Sequence, residues 1–180
     1  MKFLIGLILA FQCFHLAGQT FNTNARTSGV MKTTEGSFIG TLDISIELDQ
    51  VMWHEDNRTR IFGARQIKKV VIDLGEGASQ TFVGHVLNGH HYLFEVLSDG
   101  KVTILYKVGI VKDQYENTFY PPFFQLNSKK ELVPLDSKRD LLAVFDNDSK
   151  WMNQYIRNQS LNLENPQDVS RALDYYNEAY

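Results

Sequence analysis

The 180-residue chain contains one cysteine, four prolines and almost no imbalance of charge, with a formal net charge of −3. Cys13 lies in the apolar opening of the chain, so nothing beyond it can form a disulfide, a thiolate metal site or a cysteine nucleophile. Exported domains of modest size often rely on disulfides; this one must hold itself by packing. The near balance of charge argues against a nucleic-acid partner, whose binding faces are strongly basic. After the opening segment no apolar run approaches the roughly 20 residues that a helical membrane span needs. The strands are too few and the loops too irregular for an outer-membrane barrel. Also missing are a glycine-rich phosphate loop, a Gly-x-Ser-x-Gly elbow and a His-Glu-x-x-His helix. No cofactor and no metal are therefore expected.

What is present begins at the first residue. Lys2 precedes an apolar run from Phe3 to Phe14, and the small pair Ala17-Gly18 leads into the polar Gln19-Thr20. A short positive end, an apolar middle and a small-residue exit are the order of a secretory signal peptide, expected over residues 1–18. Removing them leaves 162 residues with a charge of −4, because Lys2 leaves with them. That length suits one domain with a sizeable core. Cys13 as a lipid attachment site is disfavoured, since Gln12 stands where a small residue is wanted.

Residues 19–36 are small and polar and read as a flexible leader. From Ser37 the pattern alternates. Phe38, Gly40, Leu42, Ile44, Ile46 and Leu48 occupy one face, and Thr41, Asp43, Ser45, Glu47 and Asp49 the other, which predicts one long half-buried strand. Further strands are expected at Arg60–Gly63, Ile67–Leu74 and Thr81–Leu87, the last closed by the turn dipeptide Asn88-Gly89. His91–Leu97 and Lys101–Val108 form the clearest hairpin. Thr118 to Leu126 is extended but interrupted by Pro121-Pro122, which forbids a central strand. Glu131 to Leu135 is a last short piece.

The periodicity then becomes helical. Ser137 caps a segment carrying Leu141, Leu142, Val144 and Phe145. Trp151, Met152, Tyr155 and Ile156 follow at helical spacing. Asn165-Pro166 opens a final helix whose apolar stripe is Val169, Ala172, Leu173 and Tyr176. The expected fold is α+β: an antiparallel β domain over 37–126, either a sandwich or an open barrel or roll, followed by a small C-terminal helical tail over 136–179, packed on it or appended.

The runs Asp140-Leu141-Leu142-Ala143-Val144-Phe145, Trp151-Met152-Asn153-Gln154-Tyr155-Ile156, Leu161–Leu163 and Asp174-Tyr175-Tyr176-Asn177 resemble the ending of exported proteins of unknown function from Bacteroidota-type bacteria. The hairpin segment Phe94–Val102 resembles theirs too. The resemblance covers about half the chain. It implies an exported bacterial protein with a β part and a helical tail, and it brings no catalytic residues.

Four constellations carry possible chemistry. His85, His90, His91 and Glu95 contain metal-ligating types, but His91 and Glu95 would stand about 13 Å apart on one strand, and turn histidines account for them. Asp43, Glu47, Asp49, Glu55 and Asp56 could supply paired carboxylates, yet a solvated strand face accounts for most of these. Asp146-Asn147-Asp148-Ser149 lacks the glycine and closing glutamate of a calcium loop. The aromatic run Phe119-Tyr120-Pro121-Pro122-Phe123-Phe124 is the best binding candidate, with Phe119, Tyr120, Phe123 and Phe124 as the contact residues. Its plainer role is to tie the β domain to the tail. Two functions follow. One is a non-enzymatic envelope or secreted protein, periplasmic or further out, that binds an envelope protein or surface polymer. The other is a hydrolase of extracellular glycan or peptide polymers acting through its carboxylates or histidines.

Overall fold

A computed structural model describes residues 26–179. Twelve strands come first: β1 (Thr27–Thr33), β2 (Ser37–Ser45), β3 (Gln50–Glu55), β4 (Arg58–Gly63), β5 (Ile67–Gly75), β6 (Ala78–Leu87), β7 (His90–Asp99), β8 (Thr103–Tyr106), β9 (Val111–Asp113), β10 (Thr118–Phe119), β11 (Phe123–Leu126) and β12 (Leu132–Pro134). Three helices follow: α1 (Lys138–Ala143), α2 (Ser149–Asn158) and α3 (Pro166–Glu178), with a 3-10 turn over Asp146–Asp148. The fold is α+β, as the sequence pattern predicts. The signal peptide expected over residues 1–18 lies outside the described residues.

Ten strands make one antiparallel sheet in the order β12-β11-β8-β7-β6-β5-β1-β2-β3-β4, and β9 with β10 forms a separate hairpin. This order forces curvature. β4 and β5 are four strand spacings apart in the sheet, roughly 19 Å if it were flat. The link from Gly63 to Ile67 can span at most about 14 Å. The sheet therefore curls until β4 comes back over β5 and β6. The Ala64 carbonyl ends directly above Gly84 on β6, where an added Cβ would lie 2.0 Å from it. Glycine is required there for want of space.

The curl encloses a core of Met31, Leu42, Val51, Phe62, Val70, Phe82 and Leu93. It is an open roll, not a closed barrel, because β4 bonds to β3 alone. Asp49 draws the roll shut. Its carbonyl accepts from Ala64 N–H at 2.8 Å. Its Oδ1 accepts from Leu93 N–H at 2.6 Å and from Lys107 Nζ at 2.9 Å.

Two expectations need correction. The segment 27–33 of the presumed leader is β1, a central strand paired with both β2 and β5. Its small residues and Val30-Met31 suit a crowded interior position, with Met31 and Thr33 facing inward; residues 19–25 lie outside the described residues. The long strand from Ser37 ends at Ser45. Residues 46–49 are a turn, with Asp49 at φ 54, so Leu48 is exposed.

The helices cover the sheet face that carries Leu97, Ile104 and Phe123. These side chains share one core with Leu141, Phe145, Met152, Ile156, Val169, Leu173 and Tyr176. The tail is thus packed on the sheet. Asn165 starts α3 by accepting from Gln167 N–H at 2.9 Å, with Pro166 at the first helical position. Near its end α3 clasps the β7–β8 turn. Asn177 donates to Ser98 Oγ at 2.7 Å and accepts from Lys101 N–H at 3.1 Å. The opposite sheet face buries Phe94, Leu105, Ile110 and Phe124.

Candidate functional site

The alternating geometry of a strand splits the aromatic run. Phe123, 5% exposed, faces the helices, and Phe124, fully buried, faces the other way. Tyr120 joins Phe124 on that second face, with ring centroids 6.1 Å apart, and its hydroxyl accepts from Asn88 Nδ2 at 2.7 Å. Phe119 lies on β10 and is 53% exposed. The four residues therefore form no common surface. Of the four, Phe123 lines a groove that Phe119, Tyr120 and Phe124 do not line.

That groove, of about 370 Å³, lies between the sheet and the helical tail. Pro121, Pro122 and Phe123 form one wall. Leu135 comes from the segment between β12 and α1, Leu141 from α1, and Leu161 and Leu163 from the loop between α2 and α3. The rim is polar, with Asp136, Ser137, Lys138, Asn162 and Glu164. Its size falls within the roughly 300–1,000 Å³ of ligand clefts.

Each wall is fixed locally. Pro122 O accepts from Lys107 N–H at 2.9 Å, and Phe123 O from Leu135 N–H at 3.0 Å. Ser137 caps α1 by accepting from Asp140 N–H at 3.2 Å. The α2–α3 loop is braced by Asn162 N–H on Asp168 Oδ2 at 2.9 Å and Glu164 N–H on Asn162 Oδ1 at 3.0 Å. This bracing keeps Leu161 and Leu163 turned inward. Proline supplies the opposing wall with little rotamer freedom to lose on contact.

Behind Phe123 lies a titratable pair. Tyr106 packs on Phe123 with centroids 5.4 Å apart and stands opposite Glu95 across β7 and β8. Burial pushes the Glu95 carboxyl up from its ordinary value, against a hydrogen bond from Gln80 Nε2 at 2.7 Å that lowers it. Burial, then the neighbouring Glu95 charge, raises the Tyr106 phenol.

The other predicted constellations disperse. His90 and His91 are exposed at the start of β7, and among the described residues no group of three or more His, Asp and Glu side chains is placed to hold a metal. Asp43, from the acidic set, pairs with a histidine. His54 Nε2 lies 2.9 Å from Asp43 Oδ2 and His54 Nδ1 lies 3.0 Å from Thr59 Oγ1. Sequence reading missed this line of three. The signal available was the placing of Asp43 and His54 on wet faces of neighbouring strands. The misplaced strand end hid it.

No family model, curated protein or solved structure matches the chain. Among the described residues no helix is long and apolar enough to cross a membrane.

Proposed function

We propose that the chain is an exported binding protein that holds a segment of a partner polypeptide of the cell envelope in the groove between sheet and tail. The groove carries this reading: a braced concavity of about 370 Å³ whose lining mixes apolar side chains with a polar rim. Interfaces draw most of their affinity from a few apolar anchors seated in such pockets, with a polar rim excluding water. An inserted apolar side chain would meet Phe123, Leu141, Leu161 and Leu163, while Asn162, Glu164 and Lys138 are placed to bond the segment's backbone and flanking charges. Export rests on the order of residues in the opening segment.

The test is site-specific photocrosslinking in cell-envelope extract with chain beginning at Gln19. A crosslinker replaces Glu164 on the rim, or Ile39 on the distant sheet face, where that side chain is exposed. One discrete adduct from position 164, lost when Lys138→Trp covers the groove, is the expected result. Equal labelling from both positions would refute the groove as the site.

A further inference from the structure

Asp43 on β2, His54 on β3 and Thr59 on β4 form a single hydrogen-bonded line across three adjacent strands. His54 stands directly opposite both Thr41 and Thr59, and Asp43 is two residues along β2 toward the turn, on the same face. Asp43 and His54 side chains keep only 15% and 16% exposure, although this is the outer face of the sheet. Thr59 is exposed. Asp43 Oδ1 is buried with no hydrogen-bond partner, which ordinarily costs about 1–3 kcal/mol.

The direction of the line follows from its chemistry. A carboxylate only accepts, so neutral His54 must carry its proton on Nε2, toward Asp43. Nδ1 is then bare and accepts from the Thr59 hydroxyl. That is the orientation in which an imidazole removes a proton from a nucleophile, while a carboxylate holds the tautomer. A hydrogen-bond donor lies close by. The two-residue turn Asp56-Asn57 makes Glu55 and Arg58 a hydrogen-bonded pair. The next N–H, that of Thr59 itself, therefore points out of the open edge of the sheet. Gly63, four residues further and at the same phase, sends its N–H outward to Gln66 Oε1 at 3.1 Å.

We propose that Asp43, His54 and Thr59 make an acyl-transfer site that cleaves carboxylic esters, separate from the groove. Thr59 Oγ1 attacks the ester carbonyl carbon as its proton passes to His54 Nδ1. The tetrahedral oxyanion faces the outward Thr59 N–H. Collapse breaks the carbon–alkoxide bond, and the leaving alkoxide takes the proton from His54. Water, deprotonated by the same nitrogen, then hydrolyses the acyl-threonine and restores the hydroxyl. Thr59 is the catalytic nucleophile and His54 the base; Asp43 is a positioning residue. The open face admits esters borne on extended chains.

The experiment uses chain from Gln19 onward with p-nitrophenyl acetate, following nitrophenol release and mapping the acetyl group by tandem mass spectrometry. The expected result is a burst of one equivalent with the acetyl on Thr59. Thr59→Val, nearly isosteric and suited to a strand, abolishes the burst at unchanged melting temperature, and Thr59→Ser restores it. His54→Gln lowers the rate about 10²–10⁴-fold. Asp43→Asn lowers kcat with KM unchanged. Absence of a burst, a burst that survives Thr59→Val, or acetyl found only on lysines would each overturn the proposal.

Discussion

The Asp49 carboxylate lies 2.9 Å from Lys107 Nζ, and the pair joins the turn after β2 to the residue following β8. Lys107 is 5% exposed and also donates to Ile46 O at 2.5 Å. The ion pair, with the Asp49 bonds to Ala64 and Leu93, thus ties the β2–β3 turn to the strands facing it across the roll. Removing one partner of a buried pair costs far more than the pair contributes, because a desolvated charge is left behind. Asp49→Ala is expected to lose stability toward the lower end of roughly 3–5 kcal/mol, since Asp49 keeps 23% side-chain exposure. Lys107→Met removes the charge and keeps the bulk, so it should cost less. Urea unfolding of both variants gives the comparison, and an equal or larger loss for Lys107→Met would contradict it.

Gly84 makes a second prediction. A methyl group there meets two backbone carbonyls, Ala64 at 2.0 Å and Ile67 at 2.5 Å. Neither can yield without moving the β4–β5 turn. Gly84→Ala should destabilise by at least the roughly 1–3 kcal/mol of overpacking, read as a fall in melting temperature. Gly89→Ala meets no atom, and its cost is limited to the positive φ of 80.

Glu95 predicts a pH dependence of defined sign. Its folded pKa is raised above the ordinary 4.5 by burial. The folded state therefore holds this proton more tightly than the unfolded chain. The contribution to stability is greatest below 4.5 and falls as pH rises through the folded value. Glu95→Gln removes the titration while keeping an acceptor for Gln80. The variant should be the more stable at pH 7, with the difference shrinking in acid. A difference that grows in acid would contradict the assignment.

The helical tail is expected to be inseparable. Leu97, Ile104 and Phe123 share their core with all three helices. Truncation after Leu135 would expose them together, and the β part should lose its cooperative thermal transition. Within the tail, Asn165→Ala removes the side-chain cap of α3 and should cost about 1 kcal/mol. A truncated chain that melts like the full one would make the tail an independent module.

Several elements were legible because their signals are local. Asn88-Gly89 placed the β6–β7 turn. Asn165-Pro166 set the start of α3, and its stripe at Val169, Ala172, Leu173 and Tyr176 is buried as the spacing predicts. The strand at 27–33 was not legible. Its burial comes from β2 and β5 on either side, and its composition is that of a loop. The aromatic run showed apolar character but not direction, so Phe123 and Phe124 looked like one surface though the strand sends them to opposite faces.

The sequence by itself determined the class of fold, the hairpins and the helix caps, since each depends on residue type within a few positions. Tertiary structure alone decided the curl of the sheet, the groove behind Pro121-Pro122, and the line from Asp43 through His54 to Thr59. These arise where segments far apart in the chain meet, and strand order and register, set by burial of the whole sheet, bring them there.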